Sequence, residues 1–199
     1  MNRQIVNLWG GILYINGQVK DYINRLGVNR YENLKRSSKK LLHCKFTDVN
    51  TKKPHHKFID IRRHFIDKLG EKNIIVDQTN SNWEDYIQDL KNYKFALCLP
   101  GVGIDCIRTW EALTLGVIPI VINSSINVLY EDLPVVIIDS PDDITDEFLN
   151  KQFDIITNST RMNKYKWEKI SSNYWTDKIL RTKYEYILKN IDEGEYVFH

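Results

Sequence analysis

One stretch, residues 95–123, constrains this chain more than any other: FALCLPGVGIDCIRTWEALTLGVIPIVIN. Phe95-Ala96-Leu97-Cys98-Leu99 is a short apolar run without polar alternation, as in a strand buried on both faces of a parallel sheet. Pro100-Gly101-Val102-Gly103 breaks that run, and its glycines permit close backbone approach. A helix is expected from about Asp105, which stands where an N-cap belongs. Gly116 is placed to close the helix, and Ile118-Pro119-Ile120-Val121-Ile122 reads as the next buried strand. The result is a βαβ unit whose turn, at a helix N-terminus, can offer backbone N–H groups to an anion. Asp105, Arg108 and Glu111 recur at spacing three, which puts them on one helix face. This is the pattern of a ligand site.

Composition narrows the class. At 199 residues with 42% apolar and 27% charged residues, the chain can bury a sizeable core as one domain with an appendage. No apolar run approaches the roughly 18 residues of a membrane span, and the N-terminus lacks a signal-peptide pattern, so a cytoplasmic protein is expected. Cys44, Cys98 and Cys106 are odd in number and lack CxxC spacing, so they read as reduced core thiols. A net charge of +2 is too small to argue for a nucleic-acid partner. The positive charge gathers between residues 25 and 57, either a solvated face or a rim that steers a phosphorylated ligand.

Strands alternate with helical periodicity along the rest of the chain. Residues 1–38 suggest a β-hairpin followed by a short helix over 19–26 stopped by Gly27, an appendage too small to be a domain. Residues 39–199 form the main domain. Strands are expected at 40–46, 73–77, 95–99, 118–122 and 133–139. Helices are expected at 58–69 with Gly70 as stop, from 83 to about 92 with Tyr86, Ile87 and Leu90 inward, over 128–132, and from 142 onward. An aromatic-rich helical tail over 161–191 is expected to pack back onto the sheet. The architecture is a single doubly wound, right-handed α/β sheet of about four parallel strands flanked by helices.

In such sheets ligands bind beyond the carboxyl ends of the strands. Those ends gather Lys45, Asn50, Thr51, Gly101, Gly103, Asp105, Arg108, Asn123, Ser124 and Ser125. Arg108 adds a cationic fork to the turn and suits a diphosphate, and Glu111, one turn on, can accept hydrogen bonds from a ribose diol. The alternative is a simple ion pair between Arg108 and Glu111, but the apolar flanks argue for a buried helix that keeps both for a use. The turn is neither GxGxxG nor followed by GKS/T, which disfavours dinucleotide and P-loop sites. HExxH, CxxC and GxSxG are absent from the sequence.

Residues 94–139 resemble the C-terminal, donor-binding half of exostosin-like glycosyltransferases of the GT-B fold. The likeness is carried by Arg108-Thr109-Trp110-Glu111-Ala112-Leu113 and by Gly116-Val117-Ile118-Pro119-Ile120-Val121, with weaker similarity in the strand at 40–46, Arg62-Arg63 and Tyr174-Trp175. The resemblance implies a Rossmann-like domain binding a UDP- or GDP-linked sugar and needing no metal or other cofactor at the diphosphate. Gly101, Val102, Gly103, Arg108 and Lys45 would hold the diphosphate. Glu111, with Thr109, Asn50, Asn123, Ser124 and Ser125, would hold ribose, base and sugar. Asp105 is the candidate catalytic base, although a helix cap is an equal reading. Gly103 stands eight residues before Glu111, where the retaining pattern has a glutamate, so an inverting reaction on a glycan or other hydroxyl acceptor is expected. The acceptor half of such an enzyme has no counterpart of domain size in residues 1–38. It would come from a partner chain or a missing N-terminal domain, or the chain is a non-catalytic nucleotide- or phosphosugar-binding module.

Overall fold

The computed structural model describes residues 25–27, 29–46, 58–79, 81–101 and 103–191. The hairpin expected near the N-terminus, Asn50, Thr51 and Val102 lie outside the described residues. Strands β1 (Lys40–His43), β2 (Tyr93–Leu97), β3 (Ile118–Ile122) and β4 (Val136–Ile138) form one sheet in the order β1-β2-β3-β4. Every pairing is parallel, with Leu42 opposite Phe95, Phe95 opposite Ile118, and Ile120 opposite Val136. Helices α1 (Arg30–Lys35), α2 (Ile59–Glu71), α3 (Trp83–Leu90), α4 (Ile107–Leu115), α5 (Asp146–Thr157), α6 (Ser159–Met162) and α7 (Ser172–Ile191) accompany it. This is the Rossmann-like α/β class that the strand–helix alternation implies.

The core is centred on β2, β3 and α4. Phe95, Ala96 and Leu97 are buried, as are Ile118, Ile120 and Val121, so both faces of these strands are covered. Helix α4 is buried almost all round, from Thr109 to Leu115. Gly116 closes it with φ 68°, the left-handed conformation that costs L-residues with a Cβ. Gly116 N–H donates to Leu113 O at 3.2 Å and Val117 N–H to Ala112 O at 2.9 Å, a Schellman closure. Helix α1 seals the same end. Asn33 Nδ2 donates to Leu115 O at 2.6 Å, and the buried Lys39 Nζ donates to Gly116 O at 3.2 Å.

Several elements depart from the sequence reading. The strand expected at 73–77 is reduced to one parallel bridge, Lys45 with Asp77, and Ile75 is 87% exposed. Gly70 is not a helix stop. Helix α2 runs on to Glu71, and the left-handed residue is Asn73, at φ 58°, one of the few non-glycine types that tolerates it. Asp105 is not the N-cap of α4. Cys106 is, without a side-chain cap bond. The acidic stretch after β4 divides into a short 3₁₀ turn, Pro141–Asp143, and α5, which Thr145 caps by accepting from Phe148 N at 3.1 Å. The helix expected at 128–132 is a 3₁₀ turn, Asn127–Tyr130.

The tail only partly packs back. Trp167 and Ile170 are buried and Trp175 packs against the core. Beyond them Ile179, Leu180, Tyr184, Tyr186 and Leu188 of α7 are exposed, because a 20-residue helix outruns the sheet it starts from. No helix among the described residues is long and apolar enough to cross a membrane.

Candidate functional site

A cavity of ≈ 440 Å³ opens beyond the carboxyl ends of β1 and β2, within the size range of small-molecule sites. Lys45 and Phe46 enter it from the segment after β1, Asp77, Thr79 and Ser81 from the loop before α3, Trp83 and Tyr86 from α3, and Ile107, Arg108 and Glu111 from the first turns of α4. Parallel topology explains the convergence. Each strand delivers its following loop to the same edge of the sheet, and α3 and α4 both start there.

Two carboxylates occupy unlike environments. Asp77 is half-buried at the rim. Lys45 Nζ donates to its Oδ2 at 2.6 Å, while Thr79 donates to its Oδ1 from N at 2.8 Å and from Oγ1 at 2.6 Å. The Lys45 ammonium, then the two Thr79 bonds, hold the Asp77 carboxyl well below the usual carboxylate range. Glu111 is only 3% exposed. Burial pushes its carboxyl up, opposed by the indole of Trp83, whose Nε1 donates to Oε1 at 2.8 Å, and by the charge of Arg108. One Glu111 oxygen is thereby fixed by Trp83 and the other is left to accept.

Arg108 supplies the cation. Its Nη1 is sealed from solvent and has no hydrogen-bond partner among the described residues, so Arg108 and Glu111 attract each other without a hydrogen bond from that nitrogen. Burying a donor without an acceptor is costly, and most buried polar atoms avoid it. The Tyr86 hydroxyl is in the same condition. Behind Tyr86, His43 stacks edge-on against its ring at 5.7 Å and against Tyr93 at 4.8 Å, and its Nε2 lies 3.3 Å from Asp89 Oδ2. Burial dominates over the Asp89 carboxylate and pulls the imidazole down to about 4, so it is neutral at physiological pH.

Lys45, Arg108 and Glu111 therefore come together in the cavity, while the other candidates among the described residues stand elsewhere. Gly101 and Gly103 form a turn in which Gly101 N–H donates to Gly103 O at 3.0 Å, so that amide is already engaged. Arg62 braces the turn, its Nε donating to Pro100 O at 2.8 Å. Thr109 is fully buried on α4. Asp105 does not line the cavity. Its carboxylate accepts from Trp110 Nε1 at 3.0 Å and from Tyr130 OH at 3.3 Å, and burial raises it to about 6. Asn123 donates to Asp139 Oδ1 at 2.8 Å and accepts from Asn127 Nδ2 at 2.6 Å, and Asn127 Oδ1 also receives Ser124 N at 3.1 Å. Ser125 is exposed in the same loop.

Trp83, Tyr86, Asp77, Thr79 and Phe46 are lining residues that the sequence candidates omit. Tyr86 reads as core from its helical spacing, and Trp83 signals its place only by opening the helix after a strand end. Cys44, Cys98 and Cys106 are all free and buried, as expected of core thiols. Among the described residues no three or more His, Cys, Asp or Glu side chains cluster as a metal site would require. No protein-family model matches the chain, and a comparison with curated proteins finds none significantly similar to it.

Proposed function

We propose that this chain is the donor-binding domain of a metal-independent, inverting glycosyltransferase of GT-B organisation, which takes a sugar from a UDP- or GDP-linked donor to a hydroxyl acceptor. The observation that carries the reading is Arg108 Nη1, sealed from solvent and without a hydrogen-bond partner among the described residues, at a cavity that also holds the free oxygen of Glu111. A fixed cation one helical turn from a carboxylate acceptor suits a ligand with phosphoryl oxygens at one end and a ribose diol at the other. The uncapped first turn of α4 adds favourable N–H dipoles at the phosphoryl end. Phe46, Trp83 and Ile107 supply apolar surface for a base or sugar ring.

One observation favours the second reading, a module that binds the nucleotide without transfer. Asp105 is held by Trp110 and Tyr130 rather than standing in the cavity. Transfer would then depend on a base brought by a partner chain or an N-terminal domain. Isothermal titration against nucleoside diphosphates and nucleotide sugars tests the shared claim. The expected result is binding that Arg108→Ala weakens by more than about tenfold, the loss of one charge-assisted contact. No binding of any nucleoside diphosphate, or equal binding by Arg108→Ala, would refute it. Donor hydrolysis without acceptor would favour the enzyme over the module.

A further inference from the structure

We propose that Tyr86 and Arg108 form a two-donor clamp for one phosphoryl group of the ligand, so that the site selects 5′-phosphorylated nucleosides over nucleosides chiefly through a tyrosine hydroxyl on α3. The proposal rests on the nucleotide reading above and assigns the phosphoryl end of the site to a residue outside the glycine turn. Two residues that line one cavity, Tyr86 and Arg108, each carry a polar atom, the Tyr86 OH and Arg108 Nη1, that is sealed from solvent and lacks a partner among the described residues. They do not bond to each other, yet Tyr86 and Arg108 are close enough to interact electrostatically. Glu111 serves neither as an acceptor: its Oε1 takes the Trp83 indole, and its other oxygen makes no hydrogen bond to Tyr86 OH or Arg108 Nη1. Two neighbouring donors without an acceptor call for an anion. A guanidinium and a phenol together match phosphoryl oxygens, because one supplies charge and the other a short, directional O–H bond.

The surroundings hold Tyr86 for this use. The Tyr86 ring is wedged against the neutral, buried His43, which Asp89 fixes from the other side. The hydroxyl also stays protonated and able to donate, since burial, with Glu111 adding to it, raises the phenol well above its ordinary value. Lys45, by contrast, is engaged by Asp77 and Thr79 at the rim, so it can attract the anion without clamping it. The glycine turn contributes less than its sequence promises, since Gly101 N–H bonds to Gly103 O. The recognition chemistry therefore lies across the crevice between α3 and α4. The 2′,3′-diol would meet Glu111, and the 5′-phosphoryl oxygens would meet Tyr86 and Arg108.

Tyr86→Phe removes one hydroxyl and keeps the ring. Titrations of the full chain and this variant with uridine diphosphate, guanosine diphosphate, the corresponding nucleosides and inorganic pyrophosphate test the assignment. The expected result is that Tyr86→Phe weakens diphosphate and pyrophosphate binding by roughly 10- to 100-fold, as for a hydrogen bond to a charged group, and leaves nucleoside binding unchanged. Its melting temperature without ligand is expected to equal or exceed that of the parent, because an unpaired buried hydroxyl is gone. Equal diphosphate affinity in parent and variant, or an equal loss for nucleosides, would overturn the clamp while leaving the nucleotide reading intact. Pyrophosphate binding that depends on Tyr86 in a chain that binds no nucleotide would support the clamp and refute the nucleotide reading. If neither pyrophosphate nor any nucleotide binds the parent chain, both fall.

Discussion

Replacing Gly116 by alanine tests the placement of the helix that carries Arg108 and Glu111. Gly116 sits at φ 68°, and a Cβ there would lie 2.2 Å from the Arg30 carbonyl oxygen and 3.0 Å from its carbon. Left-handed backbone costs an L-residue roughly 1–2 kcal/mol. The overlap is with backbone of α1 rather than with a flexible side chain, and forced overpacking of this kind adds about 1–3 kcal/mol. The combined cost is about 3 kcal/mol or more, equivalent to a fall of roughly 6–12 °C in melting temperature for a chain of this size. Gly27 is the internal control. It has a similar φ of 62°, but nothing lies within 4 Å of its Cβ position. Gly27→Ala pays only the conformational part, about 1 kcal/mol after the gain from a stiffer unfolded chain. Thermal and urea melts of the two variants, at matched protein concentration, read the difference directly. If Gly116→Ala is no more destabilising than Gly27→Ala, the contact between α1 and α4 is not as described.

Three further outcomes follow from the buried ionisable groups. Asp105 is raised from 3.8 to about 6, so its folded form holds a proton that the unfolded form has lost, and raising pH from 4 to 6 removes about 3 kcal/mol of stability. His43 is lowered from 6.5 to about 4, so its folded form resists a proton that the unfolded form takes, and lowering pH from 6.5 to 4 removes a similar amount, about 3 kcal/mol. The two slopes oppose each other over pH 4–6, so Asp105→Asn should stabilise the chain at pH 7 and expose a steep loss of stability on acidification, measured by urea unfolding across pH. A reverse slope in that variant would contradict the assigned burial of His43. His43→Gln should do the opposite, becoming more stable as pH falls from 6 to 4. Trp83→Phe removes the indole donor from Glu111 and leaves a buried carboxylate oxygen short of a partner. A loss of about 1–3 kcal/mol at neutral pH, shrinking in acid as Glu111 takes a proton, is expected in the same assay.

The parts of the fold that sequence revealed are those where local pattern and burial agree. Residues 95–99 and 118–122 are apolar without alternation because both faces of the sheet are covered, and Gly116 marks a left-handed closure that few other residues could make. The segment at 73–77 has the same apolar look, yet it forms a single bridge to Lys45, with Ile75 in solvent, because β propensity does not say whether a pairing edge is in reach. Gly70 misled for a related reason. Glycine permits a helix end but does not impose one, and Asn73 can carry the turn as well. At the site, Arg108 and Glu111 were legible because a buried helix seldom keeps charge without cause. Trp83 and Tyr86 were not, since an aromatic residue at helical spacing looks the same whether its hydroxyl or indole meets solvent, a carboxylate or a ligand. Asp105 was misplaced by one helical position. A capping carboxylate and one that accepts from Trp110 and Tyr130 have the same sequence signature.

The most direct test of the central claim is a crystal structure of the chain with a nucleoside diphosphate bound. The account predicts the nucleotide in the crevice beyond the carboxyl ends of β1 and β2, with a phosphoryl oxygen within hydrogen-bond distance of Arg108 and the ribose diol against Glu111. A nucleotide that binds away from both side chains would contradict it.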